Sequence, residues 1–313
     1  MVTYDKVTDI FCIVDEFCKN FDNTTQHFIL GKPSKRAPKM AKSEVMCIIM
    51  LFHLSGFRCF KHFYLFYVEC HMQSDFPQTV SYNRFVELSQ GVILPMAIFL
   101  KTCCLGKCTG ISFVDSTPIR VCKNKRNKVF KGTATVGQST MGWFYGFKLH
   151  IVINDKGEIL NFAVSQANVD DRDPLKNEEF LKNVFGKLFA DKGYISKKLV
   201  EILFTDGVRL VTGIRNNMKN CLMSMNDKIM LRKRSVIVTV NDELKNICQV
   251  EHSRHRSFVN FIVNIIAGLA VYSFFPKKAL DQVRNCKNKS IICFLINRTQ
   301  AYRNCFVYGL KQQ

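Results

Sequence analysis

The sequence predicts an α/β fold: an all-helical N-terminal region over residues 1–105, then a mixed sheet with flanking helices. Three observations predict it. Residues 1–105 carry helical patterning and no convincing strand. From Gly110, three strand-like runs follow one another, two of them joined by the turn Asn154-Asp155-Lys156-Gly157. Beyond Pro174, short apolar runs alternate with helical segments, a rhythm that sets parallel strands beside the antiparallel ones.

The elements can be justified in order. Asp9–Lys19 reads as a first helix. Residues 31–42 form a basic connector carrying Lys32, Lys35, Arg36, Lys39 and Lys42; a solvated linker and a phosphate-contacting arm both fit such a run. Ser43 fits an N-cap, followed by the apolar face Met46, Ile49, Met50 and His53. Ile111–Cys122, Phe144–Ile153 and Glu158–Val164 read as strands of an antiparallel meander, with 123–142 a long polar loop. Pro174–Val184 reads as a helix, Lys187–Asp191 as a strand, Ser196–Phe204 as a helix and Val208–Gly213 as a fifth strand. Residues 228–250 are helical in pattern. The apolar stretch Phe258–Phe275 is about long enough to cross a bilayer. Asn260 and Asn264 inside it, and Arg254 and Arg256 just before it, favour a buried helix closing a globular core, so no membrane partner is expected.

Composition narrows the class. A hydrophobic content of 47% is ample for a packed core and argues against wholesale disorder. Lys and Arg number 45 against 25 acids, a formal charge of +20, which points to a polyanionic partner, nucleic acid first. The N-terminus has no basic stretch followed by an apolar one, so no secretory signal is expected. Fourteen scattered cysteines fit reduced thiols in a cytoplasm. Cys103, Cys104 and Cys108 cluster, but no second pair follows at zinc-site spacing.

The chemistry rests on two aspartates. Asp115 closes I-S-F-V-D and Asp191 closes G-K-L-F-A-D, each an apolar run ending on an acid. A carboxylate at a buried strand end is costly unless it is paired or holds a metal. Adjacent strands lie about 4.8 Å apart, so acids on neighbouring strands can share a divalent-ion site of the kind used in two-metal phosphodiester cleavage. Taken singly, each is equally readable as a capping or turn aspartate. Downstream, Arg234, Val238 and Lys245 fall within about 40° of one another on a helix. A carboxylate at 238 would share that face; valine cannot supply one. Asp242 lies one turn further along and Glu243 faces elsewhere, so neither replaces it. Asp170, Asp171 and Asp173 read as loop-structuring acids, with Asp170 a reserve ligand. Lys148 and His150 share one strand face, and both a place beside DNA and a structural role are open to them.

Several stretches carry a resemblance: F-V-D-S-T-P at 113–118, S-T-M-G-W-F-Y-G-F-K-L-H at 139–150, N-V-D-D-R at 168–172 and A-D-K-G-Y at 190–194. V-N-D-E-L-K-N-I-C-Q-V-E-H-S-R-H-R-S at 240–257 and Y-S-F-F-P-K-K at 272–278 extend it. Over about Ser43–Lys278 the chain resembles bacterial insertion-sequence transposases with an Asp-Asp-Glu triad, in particular the nine-eight-two insertion-element family. That resemblance implies a ribonuclease-H-like mixed five-stranded sheet over 106–278 and DNA binding by 1–105, with 279–313 a divergent tail. It implies Asp115 and Asp191 as catalytic ligands of two Mg²⁺ or Mn²⁺ ions, with Arg234, Lys245, Lys148 and His150 toward DNA. Double-stranded DNA, as terminal inverted repeats and target, would be the partner, bound by a homo-oligomer at the bacterial nucleoid. In the family signature Tyr-x2-Arg-x3-Glu-x6-Lys, Leu231 stands for Tyr and Val238 for Glu, which implies a copy impaired in cleavage, or a non-catalytic DNA-binding remnant.

Overall fold

The computed structural model describes residues 4–26, 38–122, 129–214, 218, 223–251 and 255–275. Residues 31–37 of the basic connector and the whole of 279–313 lie outside the described residues. In chain order the elements are α1 (Tyr4–Thr25), α2 (Lys42–Ser55), α3 (Phe60–His71), α4 (Tyr82–Gly91) and α5 (Ile93–Cys104). Strands β1 (Ile111–Cys122), β2 (Thr135–Ser139), β3 (Gly142–Asn154) and β4 (Ile159–Gln166) follow. Then come α6 (Glu178–Leu181), β5 (Gly186–Ala190), α7 (Lys197–Thr205) and β6 (Val208–Thr212). The last are α8 (Met225–Lys233), α9 (Ser235–Asp242) and α10 (Phe258–Tyr272). Two compact units result: α1–α5 with the described chain from Leu244 onward, and Leu105–Glu243.

The helical unit is organised by two helices that are apolar on nearly every side. Every residue of α2 from Val45 to His53 is buried, and so is every residue of α10 from Asn260 to Tyr272. Helices of that kind belong at the centre of a core. Around α10 pack α2, α4 and α5. Gly268 permits the close approach, since a Cβ there would meet Val250 at 2.6 Å and His53 at 3.5 Å. Among the described residues no single helix is long and apolar enough to cross a membrane. The cap of α2 departs from expectation. It lies at Ala41, whose N–H donates to Glu44 Oε2 at 2.6 Å, because Ser43 Oγ is turned to donate to Asp15 on α1 at 2.8 Å.

The second unit is a mixed six-stranded sheet, one strand more than expected. Strand β1 is central, antiparallel to β3 and parallel to β5, which is parallel to β6. The far edge of β3 is shared by β4 and the additional strand β2. Beneath one face lies an apolar layer in which Val114, Leu188 and Ala190 meet Phe180 and Leu181 of α6 and Leu199 and Leu203 of α7. Side chains alternate along a strand, so Phe113 and Phe189 point to the opposite face, where their rings lie 5.6 Å apart. Positions 115 and 191 share that opposite face.

Two helical expectations are altered locally. Pro174–Val184 becomes a short 3₁₀ turn, Pro174–Lys176, and then α6, because Asn177 restarts the chain as an N-cap accepting the Glu179 N–H at 2.9 Å. The 228–250 segment is broken at Arg234 between α8 and α9 and ends in a π-helical turn, Glu243–Ile247. Ser224 caps α8, and buried Asp227 fastens it to β5 by accepting from Lys187 Nζ at 2.6 Å.

Candidate active site

The parallel pairing of β1 with β5 matches Ser112 with Leu188 and Phe113 with Phe189. Carried two residues further, that register sets Asp115 beside Asp191, which follows the last residue of β5 and opens the turn Lys192–Tyr194. The acids are therefore neighbours on one face, at about the spacing of adjacent strands.

Arginine, not a third acid, closes the group. Arg234 Nη2 lies 3.4 Å from Asp191 Oδ1, and Nη1 lies 4.0 Å from Asp115 Oδ1. Asn241 Nδ2 donates to Asp115 Oδ2 at 3.1 Å. Arg234, Val238 and Asn241 fall within an arc of about 60° on the helix, with Val238 at one edge of it. The side chains of Arg234 and Asn241 reach Asp115, and Val238 stands about 40° round the helix from Arg234. Val238 itself is 54% exposed. An apolar side chain this open contributes little to packing that an acid would forfeit.

Electrostatics separate the two acids. Asp115 is 24% exposed and Asp191 57%. Burial pushes the Asp115 carboxyl up to about 6, against the Arg234 guanidinium, which favours its ionised form. Buried Tyr194, near Asp115, has its phenol driven well above the usual range, chiefly by burial and then by the Asp115 charge.

The other residues singled out from the sequence fall elsewhere. Lys148 donates to the Val169 carbonyl at 2.8 Å and pairs with Asp171 at 2.9 Å, so it pins the N-V-D-D-R turn to the sheet. His150 is 1% exposed, with Nε2 bonded to Ser165 Oγ at 2.7 Å. Burial holds its imidazole neutral, its pKa lowered to about 4, and a DNA contact is closed to it. Asp170, the reserve ligand, is bound by Arg172, whose hydrogen bond lowers its carboxyl to about 2. Lys245 pairs with Glu251 at 3.4 Å. Sequence reasoning missed Asn241; its position seven residues after Arg234, on the same helical face, was the available signal.

Two divalent ions need more oxygen donors than this face holds. Asp115 and Asp191 are suitable hard ligands, but a guanidinium lies between them and Val238 offers no oxygen. Among the described residues no cluster of three His, Cys, Asp or Glu side chains could hold a metal. The donor set as it stands does not fit an ion pair. The described cysteines, Cys103, Cys104 and Cys108 included, are reduced thiols.

The mixed sheet thus seats two aspartates at the ends of adjacent parallel strands, beside a helix that carries Arg234 at its start and Asn241. Residues 105–258, a little under half of the chain, match the family model of the transposase DDE domain. A chain of the piggyBac transposase synaptic complex with hairpin DNA, solved by cryo-electron microscopy, is similar at 12% identity and a TM-score of 0.47, over 95% of this chain and 83% of that one. A comparison with proteins of curated function found no match.

Proposed function

We propose that the chain is a DDE-type DNA transposase related to the nine-eight-two insertion elements, binding DNA while impaired in strand cleavage. One observation carries the impairment. Position 238 shares a helical face with Arg234 and Asn241, whose side chains reach Asp115, and it holds valine. The Asp115–Asp191 pair supports the reading of a phosphoryl-transfer site; the missing carboxylate supports the reading of a defective one. Excess positive charge supports double-stranded DNA as partner.

In this reading Asp115 and Asp191 hold negative charge at the end of the sheet. Arg234 partly neutralises it, and Asn241 fixes the Asp115 carboxylate in place. The arginine thereby offsets the repulsion between two close acids. A role as DNA-binding remnant or repressor of related elements follows from the same arrangement.

Restoring the acid tests the reading. Val238→Glu should raise Mg²⁺-dependent nicking of the element's terminal inverted repeats at least about a hundredfold. Binding of the same DNA by the unaltered chain should survive EDTA. Equal nicking by the unaltered and Val238→Glu proteins would sink the claim of impairment.

A further inference from the structure

Within the helical unit, a cavity of about 630 Å³ opens among α2, α3, α4 and the first half of α10. That is the size of a small-ligand site. Its mouth carries Arg58, Lys61 and Arg256, with Glu87 the one acid in its wall, ion-paired to Arg84 at 2.7 Å. Phe60 and Tyr82 supply aromatic faces, and Lys61 Nζ lies 5.9 Å from the Tyr82 ring centre. Inside are two asparagines one helical turn apart on α10. Asn260 is 6% exposed and Asn264 3%.

These amides are the informative feature. Asn260 Nδ2 donates to the Val86 carbonyl at 3.4 Å, which fixes the amide so that Oδ1 is the spare acceptor. Asn264 is held by His255, leaving Nδ2 as the spare donor. Neither spare atom has a hydrogen-bond partner among the described residues. Leaving a buried donor and acceptor unmade is costly, and a ligand that supplied the complement would remove that cost at both atoms.

The ligand chemistry follows from the lining. A flat group with both a donor and an acceptor on its edge suits the amides and the rings; an attached anion suits the basic mouth. A nucleobase carrying its phosphate has all three properties. We infer that this cavity binds a single nucleotide, its base against Asn260 and Asn264 and its phosphate at Arg58, Lys61 and Arg256. Resting on the DNA-binding reading above, the source is an unpaired nucleotide of bound DNA; a free nucleotide offers the same chemistry.

The test uses the full chain and three probes: dTMP, a short duplex with one unpaired thymidine, and the same duplex fully paired. The unpaired-base duplex should bind at least about tenfold tighter than the paired one, the effect of satisfying one buried polar group. Asn264→Leu and Arg256→Ala should each remove that preference and leave paired-duplex affinity within a factor of about three. Arg256 is exposed, so its variant keeps the test sound should the core variant misfold. Saturable dTMP binding, lost in both variants but without a duplex preference, would support the pocket with a free nucleotide as its source. Equal affinity for the two duplexes together with no dTMP binding overturns the inference. Loss of all duplex binding with dTMP binding intact would sink the DNA-binding reading and spare the pocket.

Discussion

Replacing Asp115 with asparagine should stabilise the fold at neutral pH while removing a group on which the proposed chemistry depends. The carboxyl rises from an ordinary 3.8 to about 6 on folding, burial being the main cause. At about 1.4 kcal/mol per tenfold change in proton affinity, ionised Asp115 costs the folded state about 2–3 kcal/mol. The sign follows from proton binding. Between pH 3.8 and 6 the folded chain holds this proton more tightly than the unfolded chain, so wild-type stability falls as pH rises through that window. Below it the carboxyl is protonated in both states, and the penalty vanishes. Asparagine never ionises, keeps an oxygen to accept from Asn241, and leaves Arg234 its partner Asp191. Urea unfolding of Asp115→Asn and wild type from pH 3.5 to 8 would measure the difference. Trp143, the chain's one tryptophan, lies in the same sheet and reports on this unit. The two proteins should be alike near pH 3.5, with the variant ahead by about 2–3 kcal/mol at pH 8. A variant no more stable than wild type at pH 8, or a gap that does not change with pH, would refute the reasoning.

Two further perturbations test the scaffold. Burial lowers His150 from 6.5 to about 4, so its contribution to stability is whole above pH 6.5 and is lost as pH falls toward 4. His150→Asn should flatten the acid limb of the unfolding profile, and an unchanged limb would count against a neutral, buried imidazole. Gly146 pairs with both β1 and β2 at φ +157°, and a Cβ there would meet the Ile119 carbonyl oxygen at 2.2 Å. Gly146→Ala should cost about 3 kcal/mol or more in urea unfolding; a cost below about 1 kcal/mol would show the strand pair yields more easily than its geometry implies.

The legible parts of this fold are those where local pattern and tertiary demand agree. Strand β1 was readable from Ile111 to Cys122 because its apolar run, Phe113 and Val114 included, is buried on both faces of the sheet. The acid pair was readable because each carboxylate ends such a run. Strand β2 was hidden: T-V-G-Q-S sits in a polar, basic stretch, and it pairs only because Gly137 lets the chain pass the Ala167 backbone, where a Cβ would come within 2.1 Å of the carbonyl oxygen. The cap at Ala41 was hidden because Ser43, the better capping residue, serves α1 instead. Lys148 and His150 do share a face of β3, but periodicity cannot say whether that face meets solvent. The break at Arg234 also lay beyond pattern. It depends on two carboxylates far away in sequence, toward which the guanidinium is drawn.

Only three residue pairs, Ile111–Lys187 to Phe113–Phe189, join β1 to β5. Yet this short seam dictates where both carboxylates end up. Were the two chains to mate one step out of phase, every side chain of one strand would be inverted relative to its neighbour. One carboxylate would then be driven under the sheet among Leu188, Leu199 and Leu203, without Arg234 to neutralise it. Such a misaligned chain would bury a lone charge in oil, and its own instability would eliminate it before it could persist. Correct seating of the acids is thereby enforced by folding itself, whether or not position 238 ever regains a carboxylate.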